Sequence, residues 1–168
     1  MTAFATCWAG AIENTGALIL KDGTRFRANT VEATASTASF TNANASGGAI
    51  VSSGSITFDG NVTFRENLAI AAANSGYHGS MPGGASAVSS AGAIANSGTI
   101  VITANGEGKC HFINNEARAT ASTANGDATH TSSGGAISTV ELPGVNLTSS
   151  CTFEGNKAET DSDVTTRI

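Results

Sequence analysis

The chain has 168 residues, of which only 12% are charged, and its net charge is −5. No run of Lys or Arg is present, which excludes a nucleic-acid partner, since phosphate binding needs clustered cations. No apolar stretch approaches the roughly 20 residues that span a bilayer, so we predict no transmembrane segment. The 20 Gly and abundant Ser, Thr and Asn favour short strands and tight turns over a helical bundle, whose exposed faces are usually charged.

Four imperfect repeats run along the chain, near residues 9–29, 47–67, 91–115 and 134–156. Each opens with Gly-Ala-Ile and closes with Phe-x-x-Asn, and an alternating apolar pair such as Leu18 and Leu20 lies between the two motifs. Longer intervals in the third and fourth repeats contain turn-like residues, as repeat proteins tolerate. The motif residues are Gly10, Ile12, Phe26 and Asn29; Gly48, Ile50, Phe64 and Asn67; Gly92, Ile94, Phe112 and Asn115; and Gly135, Ile137, Phe153 and Asn156.

Each repeat predicts three short strands: at Gly-Ala-Ile, at the apolar pair, and in the segment that ends at Phe. Alternation with period two is typical of strands, and Asn, Ser, Gly and Asp between them are typical of turns. An antiparallel sandwich is the alternative. Because a stack places equivalent positions above one another, it explains the recurrence better. We therefore predict an all-β, right-handed parallel β-helix (solenoid) with one domain over residues 1–168, a fragment of a longer solenoid.

The stack assigns a place to each motif residue. Rungs roughly 4.8 Å apart would pile the four Phe into an inward aromatic ladder and the four Ile into an aliphatic one. Gly and Ala before the Ile would keep a crowded corner small, and each motif Asn would occupy a left-handed turn position. The low-complexity segments 30–46, 68–91 and 116–133 are either an extra rung built from small residues or surface loops, and we favour loops, the usual place for a ligand.

The three cysteines, Cys7, Cys110 and Cys151, fit no zinc-ligand spacing. Cys110 and Cys151 each lie two residues before a motif Phe, so both should face inward in one ladder. One rung per repeat would place their Cα atoms roughly 5 Å apart, and two rungs nearly twice that distance. We favour one rung, which brings the two thiols into contact within disulfide range.

The pairing of Gly-Gly-Ala-Ile with Phe-x-x-Asn resembles the passenger domains of chlamydial polymorphic outer-membrane proteins, which are autotransported adhesins, and the repeats of related right-handed β-helix surface proteins. The resemblance covers residues 10–156. In the first and third repeats Ala9 and Ala91 replace the first Gly, and no signal peptide or translocating barrel accompanies the repeats. The resemblance implies an extracellular or cell-surface location and adhesion to an unknown protein or glycan.

The acidic residues and histidines are scattered, so we predict no catalytic, cofactor-binding or metal-binding residue. Trp8 is expected to cover an exposed end, with stacking on a sugar as the alternative. The remaining candidates are Asp22 and Asp59 as turn formers, Glu66 and Glu154 as solvated acids, Asp161 and Asp163 as a polar tail, and His78, His111 and His130 as surface histidines.

These observations predict a non-enzymatic cell-surface or secreted module with an adhesin-like binding or structural role. The alternative is a carbohydrate-active enzyme, a polysaccharide lyase or hydrolase, which would need clustered carboxylates. Open strand edges at the ends of a solenoid also predict end-to-end self-association.

Overall fold

The computed structural model describes residues 2–76, 83–103, 109–124, 126–139, 145–147 and 151–164. In these ranges the chain forms strands and turns, without a helix. The first five strands are β1 (Thr2–Trp8), β2 (Ile12–Asn14), β3 (Ala17–Lys21), β4 (Thr24–Arg27) and β5 (Thr30–Thr37). The next five are β6 (Phe40–Ser46), β7 (Ile50–Ser52), β8 (Ser55–Asp59), β9 (Val62–Arg65) and β10 (Leu68–Ser75).

The second half of the chain repeats this order. The third set of strands is β11 (Gly83–Ser90), β12 (Ile94–Asn96), β13 (Thr99–Thr103), β14 (Cys110–Ile113) and β15 (Glu116–Thr123). The fourth set is β16 (Gly126–Ser133), β17 (Ile137–Thr139), β18 (Val145–Leu147), β19 (Cys151–Glu154) and β20 (Lys157–Val164).

The strands form five four-stranded parallel sheets, and the chain visits the sheets in the same order in each of four passes. Sheet 1 contains β1, β6, β11 and β16; sheet 2 contains β2, β7, β12 and β17; sheet 3 contains β3, β8, β13 and β18; sheet 4 contains β4, β9, β14 and β19; and sheet 5 contains β5, β10, β15 and β20. The prediction of an all-β, parallel architecture with one pass per repeat is therefore confirmed.

The register confirms the repeat alignment that the sequence predicts. Ile12, Ile50, Ile94 and Ile137 are paired in order in sheet 2. The four motif Phe rings stack with centroids 4.8, 5.0 and 4.9 Å apart and nearly parallel planes. With Ile56, Phe58 and Ile100, the Ile ladder and the first three Phe form one apolar core. Phe153, in the last pass, is 49% exposed.

The prediction of surface loops between the repeats is wrong, because these segments supply the strands of sheets 1 and 5. Each pass therefore has five strands rather than three, and Gly-Ala lies in a corner just before the strand that begins at Ile. Small inward side chains such as Ala33, Ala71 and Ala119 form a second core between these sheets. Ala has a low strand propensity, but it lets two sheets approach closely where larger side chains would not fit.

Two corners of each pass use the left-handed backbone region. The residue before each motif Gly has φ between 50° and 64°, and the residue before each motif Asn has φ between 52° and 61°. The left-handed conformation predicted for each motif Asn belongs instead to the residue before it, so that prediction is wrong by one residue. The first set is Ala9, Gly47, Ala91 and Gly134, and the second is Ala28, Glu66, Asn114 and Gly155.

The predicted crowding at the corner formed by the motif glycines is confirmed. A Cβ atom on Gly48 would overlap the carbonyl oxygen of Gly92, and one on Gly92 would overlap that of Gly135. Successive corners thus lie directly against one another, which only Gly permits.

The motif asparagines form a hydrogen-bonded ladder through the stack. The Asn67 backbone N–H and side-chain amide donate to Asn115 Oδ1 at 3.1 and 2.8 Å. Asn115 in turn donates to Asn156 Oδ1 at 3.0 and 2.8 Å, and its amide also donates to the Phe64 carbonyl at 3.1 Å. Asn67 and Asn115 are fully buried, so the ladder satisfies polar groups that water does not reach.

Cys110 and Cys151 are register partners in sheet 4. Their Cα atoms lie 4.6 Å apart and the two residues form a disulfide bond. Cys110 is buried and Cys151 is half-buried. The predicted contact between these residues is therefore confirmed, whereas Cys7 is free.

Ala9 and Ala28 lie at left-handed corners, so replacing either with Gly should stabilise the protein. This conformation costs an L-residue about 1–2 kcal/mol, whereas the added backbone entropy of Gly costs about 0.5–1 kcal/mol. We expect each variant to raise the free energy of unfolding in urea by up to about 1 kcal/mol. Ala17→Gly, at an exposed strand position, is the control and should be destabilising. If all three variants lose stability alike, the corner argument is wrong.

Candidate functional site

The turn role predicted for Asp22 is confirmed. Its Oδ1 accepts hydrogen bonds from the backbone and side-chain N–H groups of Asn61 at 2.7 and 2.8 Å. These bonds hold the pKa of Asp22 below its ordinary value. Asp59 is different: it ends β8, opposite Lys21 rather than Asp22, and forms an ion pair with that lysine.

Glu66 occupies a left-handed corner and is partly buried rather than fully solvated. Its carboxylate oxygens lie 3.2 Å from Arg27 Nε and 2.9 Å from Arg65 Nε. Hydrogen bonds from Arg27 first, and then from Arg65, hold the pKa of Glu66 below its usual range. Glu154 is exposed, as predicted.

The segment predicted as a polar tail is strand β20, which contains Asp161 and Asp163. His111 is half-buried on the outward side of β14, as predicted. His130 is on the inward side of β16, in register with Ala87, so its predicted surface position is wrong. His78 lies outside the described residues. In the described part of the chain, no three His, Cys, Asp or Glu side chains are placed to hold a metal ion.

The outer face of sheet 1 carries a concentration of exposed aromatic side chains. Phe4, Trp8 and Phe40 are 74%, 58% and 54% exposed. They point outward because the residues alternating with them, such as Ala5 and Ala43, fill the inner core. Trp8 thus lies on the outer face of sheet 1, whereas it was expected to cover an end of the stack.

The parallel register places the outward side chains of sheet 1 in four rows across its strands. The rows are Thr2, Phe40, Gly84 and Asp127; Phe4, Asn42, Ser86 and Thr129; Thr6, Asn44, Val88 and Thr131; and Trp8, Ser46, Ser90 and Ser133. We call this surface the aromatic face. Within these rows, Asp127 carries the one ionisable side chain, and the remaining polar groups are hydroxyls and amides.

Phe40 lies across the neighbouring strand. A Cβ atom on Gly84 would stand 3.0 and 3.1 Å from two carbon atoms of the Phe40 ring. The ring therefore rests over Gly84, and any larger residue at that position would displace it. This packing holds Phe40 against the sheet while more than half of its surface stays in contact with solvent.

A depression of about 320 Å³ lies beside the ring of Phe40. Phe4 and Phe40 border it on one side, and Asp127 and Thr129 border it on the other, with Ser86 between them. Asn42 also lines the depression, but its Oδ1 is buried, so the side-chain oxygens offered to a ligand include those of Asp127, Ser86 and Thr129. The depression thus combines apolar ring surface with oxygen atoms that accept hydrogen bonds.

A second depression, of about 220 Å³, lies beside Trp8 and is lined mainly by small polar residues of neighbouring passes, such as Ser52 and Ser97, and by Glu13. Among the described residues that line the two depressions there is no Lys or Arg. The charged side chains that border the two depressions, Asp127 and Glu13, are therefore both acidic.

Sequence reasoning missed Phe4 and Phe40 as site residues. A usable signal was present: in Phe4-Ala5-Thr6-Cys7-Trp8 and Phe40-Thr41-Asn42-Ala43, small residues alternate with larger ones. When Ala occupies the inward positions of a strand, large aromatic residues between them must face solvent.

Comparison with known proteins yields no match to a family model, a curated protein or a solved structure. In the described ranges, no helix has both the length and the apolar character needed to cross a membrane.

Proposed function

We propose that this chain is a non-enzymatic binding module of the cell surface or of a secreted protein, with an adhesin-like role. The aromatic face carries the proposal, because it exposes three large aromatic side chains on one regular sheet. Soluble proteins rarely leave clustered apolar surface exposed unless it binds something.

We further propose that the four passes wind into a right-handed parallel β-helix. The same five sheets recur in the same order, and connections between parallel strands of one sheet are right-handed in nearly all proteins. Such a scaffold would hold the aromatic face rigid, which lowers the entropy lost when a ligand binds.

The acidic groups support binding rather than catalysis. Asp22 holds a turn, Asp59 pairs with Lys21, and Glu66 neutralises Arg27 and Arg65. A polysaccharide lyase or hydrolase would instead need carboxylates directed together at a substrate. Each of these three acids is already engaged in a structural contact.

An extracellular location is supported by the disulfide between Cys110 and Cys151, because such bonds persist mainly in oxidising compartments. The resemblance to adhesin repeats points the same way. End-to-end self-association remains a prediction.

Adhesion can be tested with beads that carry the folded chain, applied to a panel of cells and immobilised extracellular components. We expect a Phe4→Ala/Trp8→Ala/Phe40→Ala variant to lose adhesion at least about tenfold, the effect of about 1.4 kcal/mol. Ile19→Ala is the matched control, because Ile19 is 56% exposed on sheet 3, and it should adhere normally.

Two outcomes would contradict this proposal. If the triple variant adheres as well as the wild type, the aromatic face is not the binding surface. Turnover of any polysaccharide in a calcium-supplemented panel that includes uronates would favour the enzyme alternative.

A further inference from the structure

We propose that the aromatic face binds a neutral polysaccharide, with a sugar ring stacked on Phe40 and its hydroxyl groups hydrogen-bonded to Asp127 and Ser86. This inference rests on the proposed function, since it names the ligand class of the same surface. It depends on three features of that surface: the position of the Phe40 ring, the polar groups beside it, and the charge around it.

The position of Phe40 suits stacking. The ring rests over Gly84, so the sheet supports it from below and its free surface is open to solvent. A pyranose ring has an apolar side formed by C–H groups, which packs against an aromatic ring. Phe4 borders the same depression, so a second sugar unit has an aromatic neighbour.

The polar groups lie where the edge of a stacked sugar would be. Gly84 separates Phe40 from Asp127 in the same row, so Asp127 lies on the strand next to the glycine that the Phe40 ring covers, and both residues line the depression. A carboxylate accepts hydrogen bonds from two neighbouring hydroxyl groups. The hydroxyl groups of Ser86 and Thr129 line the same depression and can exchange hydrogen bonds with sugar hydroxyl groups.

The charge distribution selects a neutral ligand over an acidic one. Asp127 and Glu13 border the two depressions, whereas the lining that the structure describes contains no Lys or Arg. Uronic acids and sulfated sugars need such cations, which bind anionic groups through charge-assisted hydrogen bonds. On this face an acidic chain would be repelled.

The spacing of the aromatic residues favours an extended chain of sugars over a protein partner. Phe4 and Trp8 are four positions apart on β1, which is about 13 Å along a strand. Thr6 and its register partner Asn44 occupy the interval between them. Protein-binding hot spots instead cluster in a central, fully desolvated patch, whereas separated rings with hydroxyl and amide groups between them match successive sugar rings.

The test measures binding of the whole folded chain to two sets of polysaccharides by affinity electrophoresis and calorimetry. The neutral set contains β-glucans, mannan, xylan and N-acetylglucosamine oligomers, and the acidic set contains polygalacturonate, alginate and heparin. We expect binding to at least one neutral polysaccharide and none to the acidic set. Phe40→Ala should weaken that binding about tenfold, and Asp127→Ala should also weaken it.

Gly84→Val provides a sharper variant, because it keeps every ligand-contacting side chain but displaces the Phe40 ring. It should weaken binding as much as Phe40→Ala, with an unchanged strand signal in circular dichroism. Ile19→Ala should bind like the wild type. If the Gly84→Val variant and the Phe40→Ala variant both bind as tightly as the wild type, the stacking arrangement is wrong.

Failure of this inference can be distinguished from failure of the proposed function. If no neutral polysaccharide binds, or if an acidic one binds more tightly, the ligand class is wrong. If adhesion to cells in that case still disappears in the triple aromatic variant, the face is a binding surface for a protein, and the proposed function stands without this inference.

Discussion

Replacing Asn115 with Ala is expected to lower the free energy of unfolding by about 3–5 kcal/mol, because each buried polar group left unpaired costs about 1–3 kcal/mol. Asn115 Oδ1 accepts two hydrogen bonds from Asn67, and its amide donates to Asn156 and to the Phe64 carbonyl. Asn115 is completely buried, so water does not replace these partners. Urea denaturation monitored by circular dichroism measures the loss.

Asn61→Ala is the matched control for this effect. Asn61 forms a similar ladder at an exposed turn, where it donates to Asp22 and accepts from the Lys109 backbone N–H at 3.0 Å. Because water reaches these groups, we expect a loss of about 1 kcal/mol or less. Equal losses in the two variants would mean that burial does not set the strength of the asparagine ladder.

Reduction of the bond between Cys110 and Cys151 is expected to cost about 4 kcal/mol, since this is the chain-entropy value for a loop of this size. The two cysteines are 41 residues apart and join neighbouring passes of the chain. Denaturation of the oxidised protein with and without a reducing agent measures the difference. The fourth pass should detach first, because its strands have neighbours on one side only and reduction removes the covalent bond that ties it to the third pass.

A Cys110→Ala/Cys151→Ala variant is the control for this measurement. Its stability should be insensitive to the reducing agent, whereas Cys7→Ser should respond as the wild type does, because Cys7 is free. Mass spectrometry of oxidised Cys7→Ser protein should identify the bond between Cys110 and Cys151. Absence of that bond from folded, oxidised protein would contradict the register of sheet 4.

These experiments address the scaffold, and the aromatic face depends on it. Phe4 and Phe40 project from β1 and β6, whose inward side chains are small residues of the second core. That core has little apolar surface per residue, so it stabilises the fold less than the core of Phe and Ile does. The asparagine ladder and the disulfide add stability in and beside sheet 4.

The sequence by itself determined the repeat alignment and the contacts that follow from it. The Phe, Ile and Asn ladders and the proximity of Cys110 to Cys151 all agree with the structure. This agreement has a simple physical cause. In a stack of parallel strands, equivalent positions are direct neighbours, so recurrence in sequence translates into contact.

The tertiary structure alone decided what the Ala-rich segments do. Residues such as Ala33 and Ala71 have a low intrinsic preference for strands, and their burial depends on a facing sheet that no local pattern reveals. The same facing sheet turns Phe4, Trp8 and Phe40 outward. The repeats therefore did not predict the aromatic face. The alternation of small and large residues in Phe4-Ala5-Thr6-Cys7-Trp8 was the available signal, and only the facing sheet shows which side of that strand is buried.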